Sequence, residues 1–481
     1  MIMKKIGFLL LLLAAYPSLA QKLVSDNKLI EDAYNLAINT VDINTRRGIL
    51  AAGGDYGGEW TRDIAINSWN GVSLIRPKVA ENSLWSVTIH KDSVGHQYWD
   101  QIIWVIAAWN QYKVTGDLHF LQQAYACSLN TMNKLEIQVF DSRYGLFTGP
   151  SVFNDGIAAY PEPIYDKTNN SSFVLDHPNS KNIKCLSTNC VYYGAYTSLL
   201  EMGKILKKHP EILMAFQKKS TDLKANILKY FYSESDNKIY YLIDNQGKVD
   251  KSQEGLGISF AIIFGILNKE QSFHLIEYAS VSPYGITSIS PDFARYSPGK
   301  PGRHNNLIWP MVNGFFAHAA ILAGDTTAFV KELNGLTHLA LDADKGDYNF
   351  REIYNPNTGA PDGGWQANGD KQPDFHWLSC RLQTWSATAY LNMVHFGLAG
   401  IHIDTSGISF LPFLPESLHY LEIKDLNYRR TILHITIKGK GSEIRSFLVN
   451  GIRQTNYSIN ANSKGKTEIT IELGILGSTK D

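Results

Sequence analysis

From about residue 26 to residue 398, apolar side chains recur at three- and four-residue spacing in one segment after another. That is the period of a helix with one buried stripe. Residues 102–109 (IIWVIAAW) are apolar on every side, which predicts a helix in an inner ring with no solvent face. Val191, Ala195, Leu199, Met202 and Leu206 keep helical spacing, and the run ends in Lys207-Lys208-His209 and Pro210. A basic last turn followed by proline is a stop signal. About eleven helical segments, mostly in pairs, predict a double ring, an all-α (α/α)6 toroid. None of the connections between them reads as a strand ladder. The competing architecture is an irregular bundle or solenoid, but no repeat recurs at a solenoid period.

Near residue 400 the period drops to two. Leu421 and Ile423, then Leu433, Ile435 and Ile437, then Ile469, Ile471 and Leu473, alternate with polar residues, the pattern of half-buried strands. Asn450-Gly451 and Gly439–Gly441 are turn signals between them. The expected organisation is therefore a helical catalytic domain over 21–400 and a small C-terminal β module, sandwich-like, over 401–481. Long Gly-, Pro- and Asn-rich connections at 141–187, 281–306 and 345–374 carry Trp, Tyr, Asp and Glu. Connections of that length in a compact domain usually serve a function.

The first twenty residues read differently. Lys4 and Lys5, the apolar run Ile6–Ala15 and Ser18-Leu19-Ala20 form a secretory signal peptide over 1–20. This predicts a periplasmic or secreted protein with no membrane insertion after cleavage. Lys+Arg and Asp+Glu are equal at 45 each, so no global field favours nucleic acid. The chain holds 10 Trp, 25 Tyr and 21 Phe, enough to fill a helical core and still stack on the C–H faces of sugars. Cys185 and Cys190 are close enough in sequence to pair in an oxidising compartment. Cys127 and Cys380 lie in apolar helical patterns and read as buried thiols. No cofactor or metal motif stands out, and oligomeric state is not encoded in any recognisable way.

Sugar-bond hydrolysis with inversion needs two carboxyl groups on opposite sides of the bond, one protonated and one ionised. Asp155, in Phe153-Asn154-Asp155-Gly156-Ile157, has apolar neighbours that would raise its pKa and keep it protonated as a general acid. Glu162, in Tyr160-Pro161-Glu162-Pro163, is the rival. Glu352 precedes a turn set by Asn355-Pro356 and Gly359 and could hold a water as general base. Gly57-Gly58-Glu59-Trp60-Thr61-Arg62-Asp63 offers glycines for close backbone approach. In the same stretch Trp60 offers a stacking face, and Arg62 and Asp63 offer hydroxyl binding. Trp99 and Asp100 open the apolar helix, and Arg303-His304-Asn305-Asn306-Leu307-Ile308-Trp309-Pro310 clusters polar groups before another. Trp60, Arg62, Asp63, Trp99, Asp100, Trp309 and Trp385 are the expected substrate-binding residues.

Taken in order, these segments resemble the (α/α)6-barrel, six-hairpin glycosidases. The likeness is nearest to glycoside hydrolase family 63 with its mannosylglycerate-hydrolase-like relatives, and more distant to the trehalases of family 37. Glu352-Ile353-Tyr354-Asn355-Pro356-Asn357-Thr358-Gly359 followed by Trp385-Ser386-Ala387 is similar to the family's E-x-Y-x-P-x-T-G and W-S-A signature. That resemblance carries the base role onto Glu352. The loop from Gly149 to Tyr160 resembles the one bearing the acid aspartate, which points to Asp155. It departs from the family's E-S-G-x-D, reading Gly149-Pro150-Ser151-Val152-Phe153-Asn154-Asp155. Asn305–Pro310 resembles the R/N-G-x-x-W-P segment, and Gln253-Glu254-Gly255-Leu256-Gly257 fits a helix-opening pattern of such barrels. The resemblance implies an exported inverting hydrolase of an α-linked glucoside or related oligosaccharide, working without a redox cofactor. An inverting disaccharide phosphorylase, or a non-catalytic sugar-binding protein on a glycosidase scaffold, remain as alternatives.

Overall fold

The computed structural model describes residues 21–342, 347–366 and 374–474. The expected signal peptide and part of the 345–374 connection lie outside these. Helices alternate between an outer and an inner ring. The outer ones are α1 (Lys28–Asn44), α3 (Pro77–Ser86), α5 (Leu118–Val139), α7 (Pro210–Phe231), α9 (Lys269–Glu277) and α11 (Thr326–Leu341). The inner ones are α2 (Thr61–Asn67), α4 (Ile103–Thr115), α6 (Leu186–Ile205), α8 (Gly255–Ile263), α10 (Pro310–Ala323) and α12 (Thr384–Asn392). Each inner helix packs against the next, and α12 closes onto α2.

Sequence explains the two rings. On α7 the buried residues are Phe216, Ser220, Leu223, Ile227 and Phe231, a single stripe, so this helix has a wet face and belongs outside. On α4 every residue from Ile103 to Ala108 is buried, so it can only sit inside. Asn27, Asp117, Asn268 and Asp325 cap outer helices by accepting from first-turn N–H groups. After α2 the helix kinks at Gly71, where the backbone is non-helical (φ 173°), while α12 runs on into a π-helical segment, Met393–Leu398.

The C-terminal strands are β2 (Tyr420–Tyr428), β3 (Arg430–Lys438), β4 (Glu443–Val449), β5 (Ile452–Arg453) and β6 (Lys464–Gly474). They are joined by β1 (Lys22–Ser25) from the other end of the chain, in the order β1-β2-β3-β6-β4-β5. Leu23 pairs with Ile423 on β2, while β3 and β6 run parallel. The predicted alternation holds: Leu421, Ile423, Leu433, Ile435, Ile437, Ile469 and Ile471 are buried. Asn450 and Gly451 both take positive φ, 51° and 77°, as a two-residue hairpin requires. A separate three-stranded sheet uses Ile401–Ile403, Gly407–Phe410 and Ser458–Asn460.

The all-α description needs correcting, because short antiparallel ladders link many helix ends, such as Thr45–Arg46 with Ile49–Leu50 and Trp365–Gln366 with Phe375–His376. Cys185 and Cys190 are not paired: all four cysteines are free and buried. Cys185 immediately precedes α6 and Cys190 lies within it. Cys380 is buried in the irregular segment before α12 rather than on a helix.

Candidate active site

The N-terminal ends of the inner helices α2, α10 and α12 meet one cavity of ≈ 230 Å³. Arg62 and Asp63 enter it from the first turn of α2, Trp309 from the residue before α10, and Trp385 from the start of α12. Connections supply the rest: Tyr56, Asp155, Arg303, His304, Glu352 and Gln366. Asp155 and Glu352, far apart in sequence, thus line the same space, together with Trp60.

Glu352 is 3% exposed and fixed on both oxygens. Arg303 donates to Oε1 at 2.8 Å and the Tyr56 hydroxyl to Oε2 at 2.9 Å. Its own N–H donates to the Cys380 carbonyl at 2.9 Å. The turn beyond it is rigid. Asn355 Oδ1 accepts from the N–H groups of Asn357 and Thr358 at 3.0 and 3.2 Å. Gly359 has φ 72°, and a Cβ there would meet the Tyr284 ring at 2.8 Å. Burial, then the adjoining Glu352, pushes the Tyr56 hydroxyl pKa far up, so it remains a donor at neutral pH.

Asp155 is held by Arg62, whose guanidinium donates to Oδ2 at 2.8 Å. The same guanidinium donates to Asp100 Oδ2 at 3.2 Å and Gln97 Oε1 at 2.9 Å, and Asp63 Oδ2 lies 3.9 Å from its Nε. Three carboxyl groups therefore compete for one cation. Burial pushes both Asp63 and Asp100 up to about 7. For Asp155, burial is the largest influence and acts upward, but Arg62, His304 and Arg303 together outweigh it and hold the carboxyl below its usual range. This corrects the expectation that apolar neighbours keep Asp155 protonated: Phe153 and Ile157 are buried away, and basic residues distant in sequence, Arg62 first among them, lower its pKa. Burial lowers His304 to about 3, leaving a neutral ring packed edge-on to Trp309 at 4.4 Å.

Trp99 and Asp100 do not present themselves to a ligand. Both are 0% exposed and neither lines the cavity. Trp99 packs behind Phe173, while Asp100 acts through Arg62. Glu162 is also outside: its side chain is 58% exposed and pairs with Lys167 at 2.9 Å. Gly57 and Gly58 do not serve close packing, since a Cβ at Gly57 would meet nothing within 4 Å and one at Gly58 only the Trp60 ring at 4.0 Å.

Sequence reasoning misses Tyr56, Gln366 and Trp377, and it singles out Arg303 and His304 only as part of a polar cluster. Glu254, noted only for its helix-opening context, is a buried brace. Its carboxyl group accepts from Ser151 of the Asp155 loop and from the Ser187 N–H at 3.0 Å at the start of α6. Burial raises it to about 7. Two cavity-lining indoles, Trp309 and Trp385, are buried with Nε1 unpartnered among the described residues. Buried donors of that kind are ready for a ligand acceptor.

The fold is similar to that of known glycosidases. A sialidase superposes with a TM-score of 0.68 at 14% identity, covering 90% of this chain and 40% of that one. The GH78 family rhamnosidase of Bacillus sp. GL1 gives 0.63 at 13% identity, covering 94% and 44%. The GH63 mannosylglycerate hydrolase from Thermus thermophilus gives 0.56 at 13% identity, covering 75% of this chain and 100% of that one. This chain thus spans under half the length of the first two and the whole of the third. At such identities the likeness concerns the fold. No curated protein matches this chain. The domain description "Mannosylglycerate hydrolase MGH1-like glycoside hydrolase domain" fits residues 85–378, more than half the chain, and the protein belongs to that glycoside hydrolase family.

Proposed function

We propose that this protein is an exported, inverting glycoside hydrolase in which Glu352 is the general base and Asp155 the general acid. The observation that carries the proposal is the convergence of these two carboxylates on one aromatic-lined cavity, each braced by its own arginine. Asp155 gives its proton to the glycosidic oxygen as the bond to the anomeric carbon breaks. Glu352 takes a proton from water as the water oxygen bonds to that carbon from the other face. The acid ends ionised and the base protonated, and exchange with solvent resets both.

The low pKa of Asp155 belongs to the free cavity, and the cycle requires bound substrate to raise it. The Asp155 side chain is 28% exposed, and a sugar seated over it would remove that water and push its pKa up. Asp63, carrying a proton over much of the neutral range, can donate to a sugar hydroxyl. Trp60, Trp309, Trp377 and Trp385 offer stacking faces. Export rests on residues 1–20, and we propose the helical toroid as the catalytic unit, with 401–481 as an attached β module that Lys22–Ser25 joins.

The substrate proposed is an α-linked glucoside or a related oligosaccharide. A screen of α- and β-linked disaccharides tests this, with mannosylglycerate and rhamnosides added because related folds act on them. It is run with and without phosphate, and the product anomer is read by NMR. The expected result is phosphate-independent cleavage of an α-glycoside with release of the β-anomer. Retention of configuration, or an absolute need for phosphate, contradicts it.

A further inference from the structure

The larger cavity of the molecule lies at the other end of the toroid. It measures ≈ 460 Å³, twice the catalytic one, and within the range of ligand pockets. Its lining comes from the C-terminal portions of the inner ring: Lys113 from the last turn of α4, Glu201 from α6, His318 from α10, Asn392 from the end of α12 and Phe264 just after α8. The catalytic cavity lies at the opposite, N-terminal ends of α2, α10 and α12, with Asp155 and Glu352 supplied by connections.

Two independent features mark this cavity as built rather than residual. The π-helical segment Met393–Leu398 borders it through His395 and Phe396, and the helix kink at Gly71 borders it through Trp69, Asn70 and Gly71. A π turn costs helix stability and is concentrated at functional sites. Asn70 is 2% exposed and neither atom of its side-chain amide has a hydrogen-bond partner among the described residues. His395 is 4% exposed; its Nε2 meets the Tyr34 hydroxyl at 2.9 Å while Nδ1 is unpartnered among the described residues. Unmet buried polar groups are costly, so two such side chains on a roomy cavity point to a hydrogen-bonding guest.

The chemistry of the lining selects the guest. Six helix C-termini direct their negative ends this way, which disfavours an anion. The cation, Lys113, already faces these termini and feels Asp404. Burial keeps His318 and His395 neutral. What remains are amides that donate and accept, from Asn70, Asn110 and Asn392, beside the aromatic surfaces of Trp69 and Trp109. Glu201, the carboxyl group of the lining, is half-exposed and pairs with Lys204 at 2.6 Å, so no acid–base pair is present among the described residues.

We propose that this cavity is a second, non-catalytic carbohydrate site that takes a neutral pyranose unit, stacked on Trp69 and Trp109 with its hydroxyls on the asparagine amides. The site stands independently of the roles of Asp155 and Glu352.

Saturation-transfer NMR on the full mature chain tests it, using methyl α-D-glucopyranoside, methyl α-D-mannopyranoside and maltose as probes. One variant, Trp60→Ala with Trp385→Ala, disables the catalytic cavity. Two others, Trp109→Ala and Asn110→Ala, alter only the second. The expected result is that at least one probe still binds the first variant, and that adding Trp109→Ala to that variant weakens this binding about tenfold, the loss of one aromatic platform. Asn110 is only half-buried, so Asn110→Ala carries the test if circular dichroism shows Trp109→Ala to be misfolded. Binding that vanishes in the catalytic-cavity variant, binding unchanged in both Trp109→Ala and Asn110→Ala, or no binding of any probe to wild type, overturns the proposal.

Discussion

Gly156 follows Asp155 and holds the loop at a contact that no other residue can make. A Cβ built there would stand 2.4 Å from His304 Cδ2, 2.7 Å from its Nε2 and 2.8 Å from Gln366 Nε2. Neither neighbour has room to retreat: His304 and Gln366 are each 4% exposed, and the imidazole is already wedged against Trp309. The backbone at Gly156, φ −92° and ψ 135°, suits alanine. A Gly156→Ala substitution therefore sets two effects against each other. Restricting the unfolded chain stabilises by about 0.4–1 kcal/mol, while overpacking a filled site costs about 1–3 kcal/mol. The steric term wins, and a net loss of about 1–2 kcal/mol is expected from urea unfolding. Turnover falls further, because displacing a reacting group by about 1 Å can cost on the order of 10²-fold, and Asp155 moves with its neighbour. Gly57→Ala is the control, with nothing within 4 Å of its Cβ; it should be neutral or slightly stabilising. A Gly156→Ala protein as stable and as active as wild type would refute the packing of His304 and Gln366 onto this loop.

Other outcomes follow from the same contacts. Glu162→Gln should leave activity unchanged, since this carboxylate is exposed and outside the cavity lining; a large loss would return it to candidacy as the acid. Asp155→Asn should lose ordinary glycosides yet retain aryl glycosides with acidic leaving groups, which need no protonation; equal loss on both would remove its acid role. Stability should also report the buried Glu332, which accepts from Ile286 N–H at 3.0 Å and Asn313 Nδ2 at 2.7 Å. Burial raises it from 4.5 to about 7, so the folded protein keeps a proton that the unfolded chain has released. That contribution is complete below the unfolded value and is lost as pH rises through about 7, by up to about 3 kcal/mol. Buried histidines act oppositely below about pH 6.5, so the informative quantity is the gap between wild type and Glu332→Gln in urea melts. It should narrow from about pH 5 to about pH 8, and a gap that widens contradicts the assignment.

Much of the helical ring was legible because helix periodicity is a local signal. The all-apolar run at 102–109 and the stop at Lys207–Pro210 depend only on neighbours in sequence. β1 was not legible, since four residues show no alternation and its partner is some four hundred residues away. The two-residue ladders at helix ends escaped because two residues are too few to show alternation, although their partners are close in sequence. At the site, Asp155 and Glu352 stood out by motif, but the charge state of Asp155 did not. Its sequence neighbours are apolar, whereas the groups that lower its pKa are Arg62, His304 and Arg303, brought in by the fold. Trp99 and Asp100 have the right chemistry for sugar binding, and only burial reveals that they face inward. Tyr56 and Arg303 matter because they converge on Glu352 from two distant segments, which residue type alone does not encode.

The most direct measurement is the turnover of Glu352→Gln on the glycoside that the screen identifies, with circular dichroism to verify folding. The substitution keeps the shape held between Arg303 and Tyr56 but removes the group that takes the proton from water. A folded protein with kcat lower by about 10²–10⁴-fold is the result predicted for a general base. Near-wild-type turnover would place the base elsewhere and contradict the proposed mechanism.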